Sequence, residues 1–239
     1  MTLVVIGCSH NPVSQDDPDG LYKEAEEAFK DEHFLIAIEK FRDIKNRFPY
    51  SNRAIDSELR IADCYFDQES YLEAASSYEV FRELHPTHPK SDYVQYKIGL
   101  SYFNQIPSNS ARDLSTALRA IESYKLLLDK YPSSEYASKA KDGVVEARKR
   151  LAEHEHYVAD FYYRRRHYLS ASYRYAALLQ EFPESGFDEE GLFRLGDCYK
   201  NIRMYENARE IWKKLLVQFP ETAFRSSVES ELASLEKKN

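Results

Sequence analysis

The chain has 239 residues, 43 % hydrophobic and 31 % charged, which is enough apolar material for a sizeable core and unlike a disordered tail. A formal net charge of −7 argues against a phosphate-binding scaffold, which needs a basic face, and no run of about 18 apolar residues offers a membrane-spanning helix. Seven glycines are few for a strand-and-turn protein, and 19 tyrosines against one tryptophan mean that a recurring position wants a ring with a polar tip.

At the N-terminus, Leu3-Val4-Val5-Ile6-Gly7-Cys8-Ser9 is a short apolar run that ends in a small residue and then cysteine. From Asn11 to Asp19 the chain turns polar. This looks like the end of a bacterial lipoprotein signal, in which Cys8 carries the lipid and becomes the mature N-terminus. Seven residues and no Lys or Arg precede Cys8, less than a whole secretion signal, so residues 1–19 are expected to be a signal remnant and tether. The alternative is a cysteine that merely follows a hydrophobic start.

Beyond the tether the sequence repeats. An aromatic residue or histidine followed by proline closes five segments, at Phe48-Pro49, His85-Pro86, Tyr131-Pro132, Phe182-Pro183 and Phe219-Pro220. Twelve residues before each proline stands alanine: Ala37, Ala74, Ala120, Ala171 and Ala208. Eight before stands a ring (Phe41, Tyr78, Tyr124, Tyr175, Trp212), and five before a large apolar side chain (Ile44, Phe81, Leu127, Leu178, Leu215). Offsets of four and seven from the alanine fall on one helix face, and the proline ends the helix. The alanine leaves room for a crossing helix, and the ring fills the gap one turn later.

A partner helix precedes three of these, where Ala62, Gly99 and Gly196 stand three residues before Tyr65, Tyr102 and Tyr199. The combined pattern, over about residues 20 to 220, resembles the tetratricopeptide repeat, a helix pair of about 34 residues. The expected fold is all-α, a right-handed solenoid of five tetratricopeptide-like helix pairs. Successive prolines lie 37, 46, 51 and 37 residues apart, so the two middle units carry insertions. Gln105 to Ser110 reads as a loop. Glu135 to Tyr163 has no proline and reads as one long helix, whose added length of about four turns keeps its packing face nearly in phase. The segment ending in Glu231 to Lys238 reads as a polar capping helix. The division expected is 20–132 for repeats one to three and 133–239 for repeats four and five with the long helix and cap.

No chemistry emerges from the remaining candidates. Cys64 and Cys198 each precede the tyrosine of a first helix, and as equivalent positions in separate repeats they are expected to be buried free thiols. His85 and His88 are broken by prolines, while His154 and His156, two apart, point from different helix faces, so no metal site is expected. Arg164-Arg165-Arg166 reads as a solvated face. No phosphate loop, nucleophile elbow or zinc-protease helix occurs. The expectation is a protein that is not an enzyme, uses no cofactor and binds other polypeptides. First helices of successive repeats line the inner groove of such a stack. By repeat position its residues are Asp56, Leu59, Asp63 and Phe66 in repeat two and Tyr93, Tyr96, Leu100 and Phe103 in repeat three.

Two stretches are more specific than the repeat: Pro86-Thr87-His88-Pro89-Lys90-Ser91-Asp92-Tyr93-Val94, running on to Leu100, and Arg150-Leu151-Ala152 leading into Val158-Ala159-Asp160-Phe161-Tyr162. Both resemble the BamD (ComL-type) lipoprotein family of the outer-membrane β-barrel assembly machinery (BAM complex), as do the five repeats, the cysteine shortly before the first, and the long helix entering the fourth. The resemblance implies a periplasmic protein held to the inner leaflet of the outer membrane by a lipid on Cys8, with no other membrane contact. It implies docking of the C-terminal repeats on a POTRA domain of a BamA-like barrel subunit beside other assembly lipoproteins, and receipt of unfolded outer-membrane proteins by the N-terminal repeats. The insertion in repeat three is shorter than the family's. Rival readings are a Tol-Pal-type periplasmic repeat protein, whose usual preceding coiled coil is not seen here, and a cytosolic repeat scaffold or co-chaperone.

Overall fold

The computed structural model describes residues 17–109 and 111–236; Cys8 and the tether before residue 17 lie outside them. Among the described residues the regular structure is helix alone: α1 (Pro18–Lys30), α2 (Phe34–Arg47), α3 (Asn52–Asp67), α4 (Tyr71–Leu84), α5 (Ser91–Asn104), α6 (Ser115–Lys130), α7 (Ala137–Arg164), α8 (Tyr168–Glu181), α9 (Asp188–Asn201), α10 (Tyr205–Gln218) and α11 (Arg225–Glu236). The all-α repeat fold is thus present, with α7 the long helix and α11 the cap. None of these helices is long and apolar enough to cross a membrane.

Helix ends follow from local chemistry. Asp17 accepts from the Asp19 N–H and Ser51 from the Arg53 N–H, satisfying first-turn donors of α1 and α3. The second helix of every pair ends two residues before its proline, with one extended residue between. There Phe48, His85, Tyr131, Phe182 and Phe219 adopt φ between −126° and −131°, the extended backbone a following proline ring imposes.

Turns between paired helices share another device. Glu32, Glu69, Arg166 and Arg203 all have φ between 59° and 65°. In each case this residue's N–H and the next one's bond back across the last turn, as in Glu69 to the Phe66 carbonyl and Ser70 to the Tyr65 carbonyl. This is the Schellman closure, built here without glycine.

All five alanines of the repeat column are fully buried, and so are Phe41, Tyr78, Tyr124, Tyr175 and Trp212 one turn on. Each such ring contributes roughly 1.5–3 kcal/mol by leaving water. Gly196 lies so close to Trp212 that a Cβ there would stand 2.5 Å from the ring's Cδ1, and a Cβ on Gly143 would stand 2.5 Å from Cε2 of Tyr124. Cys64 and Cys198 are buried and free, and burial pushes both thiols up to about 12, so neither is a nucleophile at neutral pH.

The chain forms two compact units that divide at Asn104/Gln105. In the first, consecutive helices α1 to α5 pack on one another and α1 also meets α3. In the second, α6 to α11 do the same in order. The helix α6 lies in the second unit, where its Tyr124 ring seats on Gly143 of α7.

The long helix α7 spends its extra length on a second neighbour. Ala140 and Ala147 are buried on the face that carries Gly143, toward α6. Ala152 and Ala159 are buried in a cluster with Ala171 and Tyr175 of α8. Five residues separate the two pairs, about 140° around a helix of 3.6 residues per turn, so α7 turns different faces to α6 and α8 rather than one face in phase. Helix α11 closes the unit by burying Val228 and Leu235 against the cluster around Trp212 and Leu215.

Gly196→Ala is expected to destabilise the protein by about 1–3 kcal/mol through overpacking against the Trp212 indole, read as a lowered urea midpoint with unchanged slope. A midpoint equal to that of the unaltered chain would show that the indole can move aside.

Candidate functional site

The face expected to bind polypeptides is carried by α3 and α5 in the first unit, and it is organised around Asp63. This carboxylate is 5 % exposed, so its charge has to be met inside the protein. Tyr78 of α4 donates to its Oδ1 at 2.6 Å and Tyr93 of α5 donates to the same atom at 2.7 Å. Arg60, one turn earlier on α3, donates from Nη1 to Oδ2 at 2.9 Å. Arg60 also reaches α1, donating from Nε and Nη2 to the two oxygens of Glu26 at 2.5 and 2.9 Å, and it lies 3.9 Å from the ring centre of Phe29. One charged network therefore ties α1, α3, α4 and α5 together. Burial works against the Arg60 charge, but Glu26 and Asp63 more than restore it and hold its pKa raised. Both phenols are pushed above the ordinary tyrosine range, first by burial and then by the carboxylate they donate to.

Above this floor lies a mixed aromatic and cationic surface. Lys97 of α5 places its Nζ 3.5 Å from the ring centre of Phe66 and 5.7 Å from that of Tyr93. Burial lowers its pKa, while Asp63 and Asp67 pull the other way. Phe66 also packs edge-on against Tyr71. Of the eight expected groove positions, Leu59 is core and Asp63 is the buried hub. Asp56, half-buried, pairs with Arg53 at 3.1 Å. Phe66, Tyr93, Tyr96, Leu100 and Phe103 are half-buried. The four on α5 are spaced three, four and three residues apart and so share one helix face.

The second unit repeats the polar device. Tyr175 of α8 donates to Asp160 Oδ1 of α7 at 2.6 Å, and Tyr163 of α7 donates to Asp197 Oδ2 of α9 at 2.7 Å. In four pairs an acid stands fifteen residues before the buried ring of the second helix: Glu26 and Phe41, Asp63 and Tyr78, Asp160 and Tyr175, Asp197 and Trp212. Where that ring is tyrosine, its hydroxyl finds the acid. The acids escape a reading based on apolar periodicity, although an offset of fifteen would have exposed them.

With two cysteines buried and their thiols pushed up, this face can grip and position but offers no activated nucleophile among the residues just described. A profile of the outer membrane lipoprotein family YfiO matches residues 14–215. The chain belongs to that family. It is 31 % identical over 224 residues to a Vibrio cholerae protein described as outer membrane protein assembly factor BamD, a match that spans 89 % of this chain and 92 % of the relative. A Neisseria gonorrhoeae protein of the same description is 29 % identical over 222 residues, covering 89 % of this chain and 83 % of that one. Among solved structures, the TPR2AB-domain:pHSP90 complex of yeast Sti1 covers 92 % of this chain and 83 % of its own at a TM-score of 0.47 and 15 % identity. The resemblance read from the Pro-Thr-His-Pro segment and the long helix is thereby established as family membership.

Two outcomes test the network. Asp63→Ala should cost about 3–5 kcal/mol in urea denaturation, because it strands two phenols and one arm of Arg60, and in combination with Tyr78→Phe the costs should be non-additive. A second test is alkaline stability. Tyr78, Tyr93, Tyr175 and Tyr163, the last raised to about 12, hold their protons in the folded state longer than in the unfolded chain. Above pH 10 the unfolded state loses these phenolic protons first, so their contribution is complete below that pH and declines as pH rises through the folded values, with the Cys64 and Cys198 thiols acting in the same sense from about pH 9. Lys97, with its lowered pKa, works in the opposite sense but is one group against four. The urea midpoint should fall between pH 10 and 12 while tyrosinate absorbance lags behind that of the unfolded protein.

Proposed function

We propose that this chain is a protein-binding scaffold of the outer-membrane protein assembly machinery. In this reading the first unit receives unfolded β-barrel proteins along the α5 face. The C-terminal repeats dock on a POTRA domain of a BamA-like barrel subunit, beside other assembly lipoproteins. The molecule sits at the periplasmic face of the outer membrane, anchored by a lipid on Cys8, and catalyses no reaction. The support that carries the reading is family membership over residues 14–215, joined to relatives called assembly factors that match nearly end to end.

The α5 surface suits such a client. An extended segment alternates apolar and polar side chains. Tyr93, Tyr96, Leu100 and Phe103 offer half-buried apolar area along one line, and the charged network beneath holds Tyr93 rigid, which lowers the ordering cost of binding. Leu59 and Asp63 act here as floor and not as contact.

The test is the affinity of a fluorescein-labelled, alternating apolar-polar peptide ending in Phe, measured by anisotropy. Tyr96→Ala with Phe103→Ala should weaken it about tenfold or more, with helical content unchanged by circular dichroism. Tyr93 is left intact because its removal would also unpair Asp63. Equal affinity in the folded variant would overturn the groove. Failure of palmitate to label Cys8 in cells, together with no recovery of a POTRA-bearing barrel protein from solubilised outer membrane, would favour a cytosolic scaffold.

A further inference from the structure

The second unit holds a cluster whose geometry the scaffold reading leaves unused. His156 and Asp160 lie four residues apart on one face of α7, and Glu190 faces them from the first turn of α9. One ligand atom from each lies within 4.8 Å of the others. On this helix the expectation of no metal rested on the two-residue spacing of His154 and His156, which puts them on different faces of α7. The partners of His156 are instead one turn on and across the helix pair. We propose that His156, Asp160 and Glu190 form a zinc site that staples α7 to α9.

Three observations carry this. His156 Nε2 is shielded from solvent and makes no hydrogen bond, a costly state for a ring nitrogen unless something else takes its lone pair. Its distance to Glu190 Oε2 is 3.4 Å, long for a charged hydrogen bond but equal to the ligand–ligand edge of a tetrahedron with bonds of about 2.1 Å. The ligands are also held by outer partners, as metal ligands usually are. The imidazole stacks on Phe187 at 4.6 Å and 22°, Tyr175 and Arg164 each donate to Asp160 at 2.6 Å, and Arg194 approaches Glu190 Oε1 at 3.4 Å, leaving Oε2 for the ion. The Arg164 side chain is 78 % exposed, so its charge is screened by water.

One imidazole nitrogen and two carboxylates suit Zn²⁺ better than Mg²⁺ or Ca²⁺, which prefer oxygen alone. A fourth position opens onto a cavity of about 450 Å³ whose wall includes Glu153, Tyr157, Phe161 and Arg165, so water or the Glu153 carboxylate would complete the shell. With protein ligands on two helices, the ion would cross-link repeats four and five. The exposed rings of Tyr157 and Phe161 at the cavity mouth would be fixed with them.

The test uses the whole chain, stripped with EDTA and titrated with ZnCl₂ in competition with a chelating dye. One equivalent of zinc should bind, unaffected by equal Mg²⁺, and raise the thermal midpoint. His156→Gln and Glu190→Gln should each weaken it at least about tenfold, while His154→Gln leaves it unchanged. Cobalt loaded into the unaltered chain should give the strong visible bands of a four-coordinate site, a readout independent of any variant's folding. No stoichiometric zinc, weak octahedral cobalt bands, or undiminished zinc binding by a folded His156→Gln variant would overturn the site.

Discussion

Two helices can cross closely only where one of them brings almost no side chain, and that constraint organises this molecule. The Trp212 ring lies where a Cβ on Gly196 would be, and the Tyr124 ring where one on Gly143 would be. Fully buried alanine at 37, 74, 120, 171 and 208 does the same work on the second helices. A small residue on one helix and a ring on its neighbour fix both the separation and the register. Sliding a helix by one residue would put a ring against a side chain of ordinary size, which a close-packed interior does not accommodate.

The ring brings a second requirement. A tyrosine buried to its tip must find an acceptor for its hydroxyl, or it loses about 1–3 kcal/mol in desolvation. Asp63 and Asp160 supply it; the buried Asp63 charge is answered in turn by Arg60, while Arg164 reaches the half-buried Asp160 from the solvent side. Apolar packing thus draws a carboxylate inward, and the carboxylate draws a guanidinium after it. At Asp63 the chain of demands runs to Glu26 and links four helices. For Asp160 burial pushes the carboxyl up, and the bonds from Tyr175 and Arg164 more than reverse this, leaving it below the ordinary range.

Much of this was legible in the sequence because the apolar columns are rigid in spacing: alanine, ring and large apolar side chain fall at the same offsets five times, and the prolines mark where each second helix stops. Three features were hidden for physical reasons. The left-handed turn residues Glu32, Glu69, Arg166 and Arg203 carry no glycine signal, since the surrounding Schellman bonds and helix contacts tolerate the cost of positive φ. The acid column lies across the turn from its ring, so no single-helix period reveals it. The two faces of α7 appear only once its neighbours are placed, since an alanine reads alike toward either. The groove positions suffered from a related ambiguity. A first helix serves both its own partner and the open face, and spacing alone did not separate Leu59 and Asp63, which turn inward, from Phe66, Tyr96 and Phe103, which stay half-open.

That division of one helix between floor and rim bears on recognition. A groove of flexible side chains would have to order several rotamers on binding, at roughly 0.5–1.5 kcal/mol each. Here Tyr93 is pinned by Asp63, and Lys97 is seated on Phe66, before any polypeptide arrives. An extended chain laid along α5 would meet preformed apolar steps and one partly desolvated cation. In the proposed reading, such a surface would ask for alternation of side-chain character and not for a particular sequence, the selectivity that a receiver of many different β-strands would need.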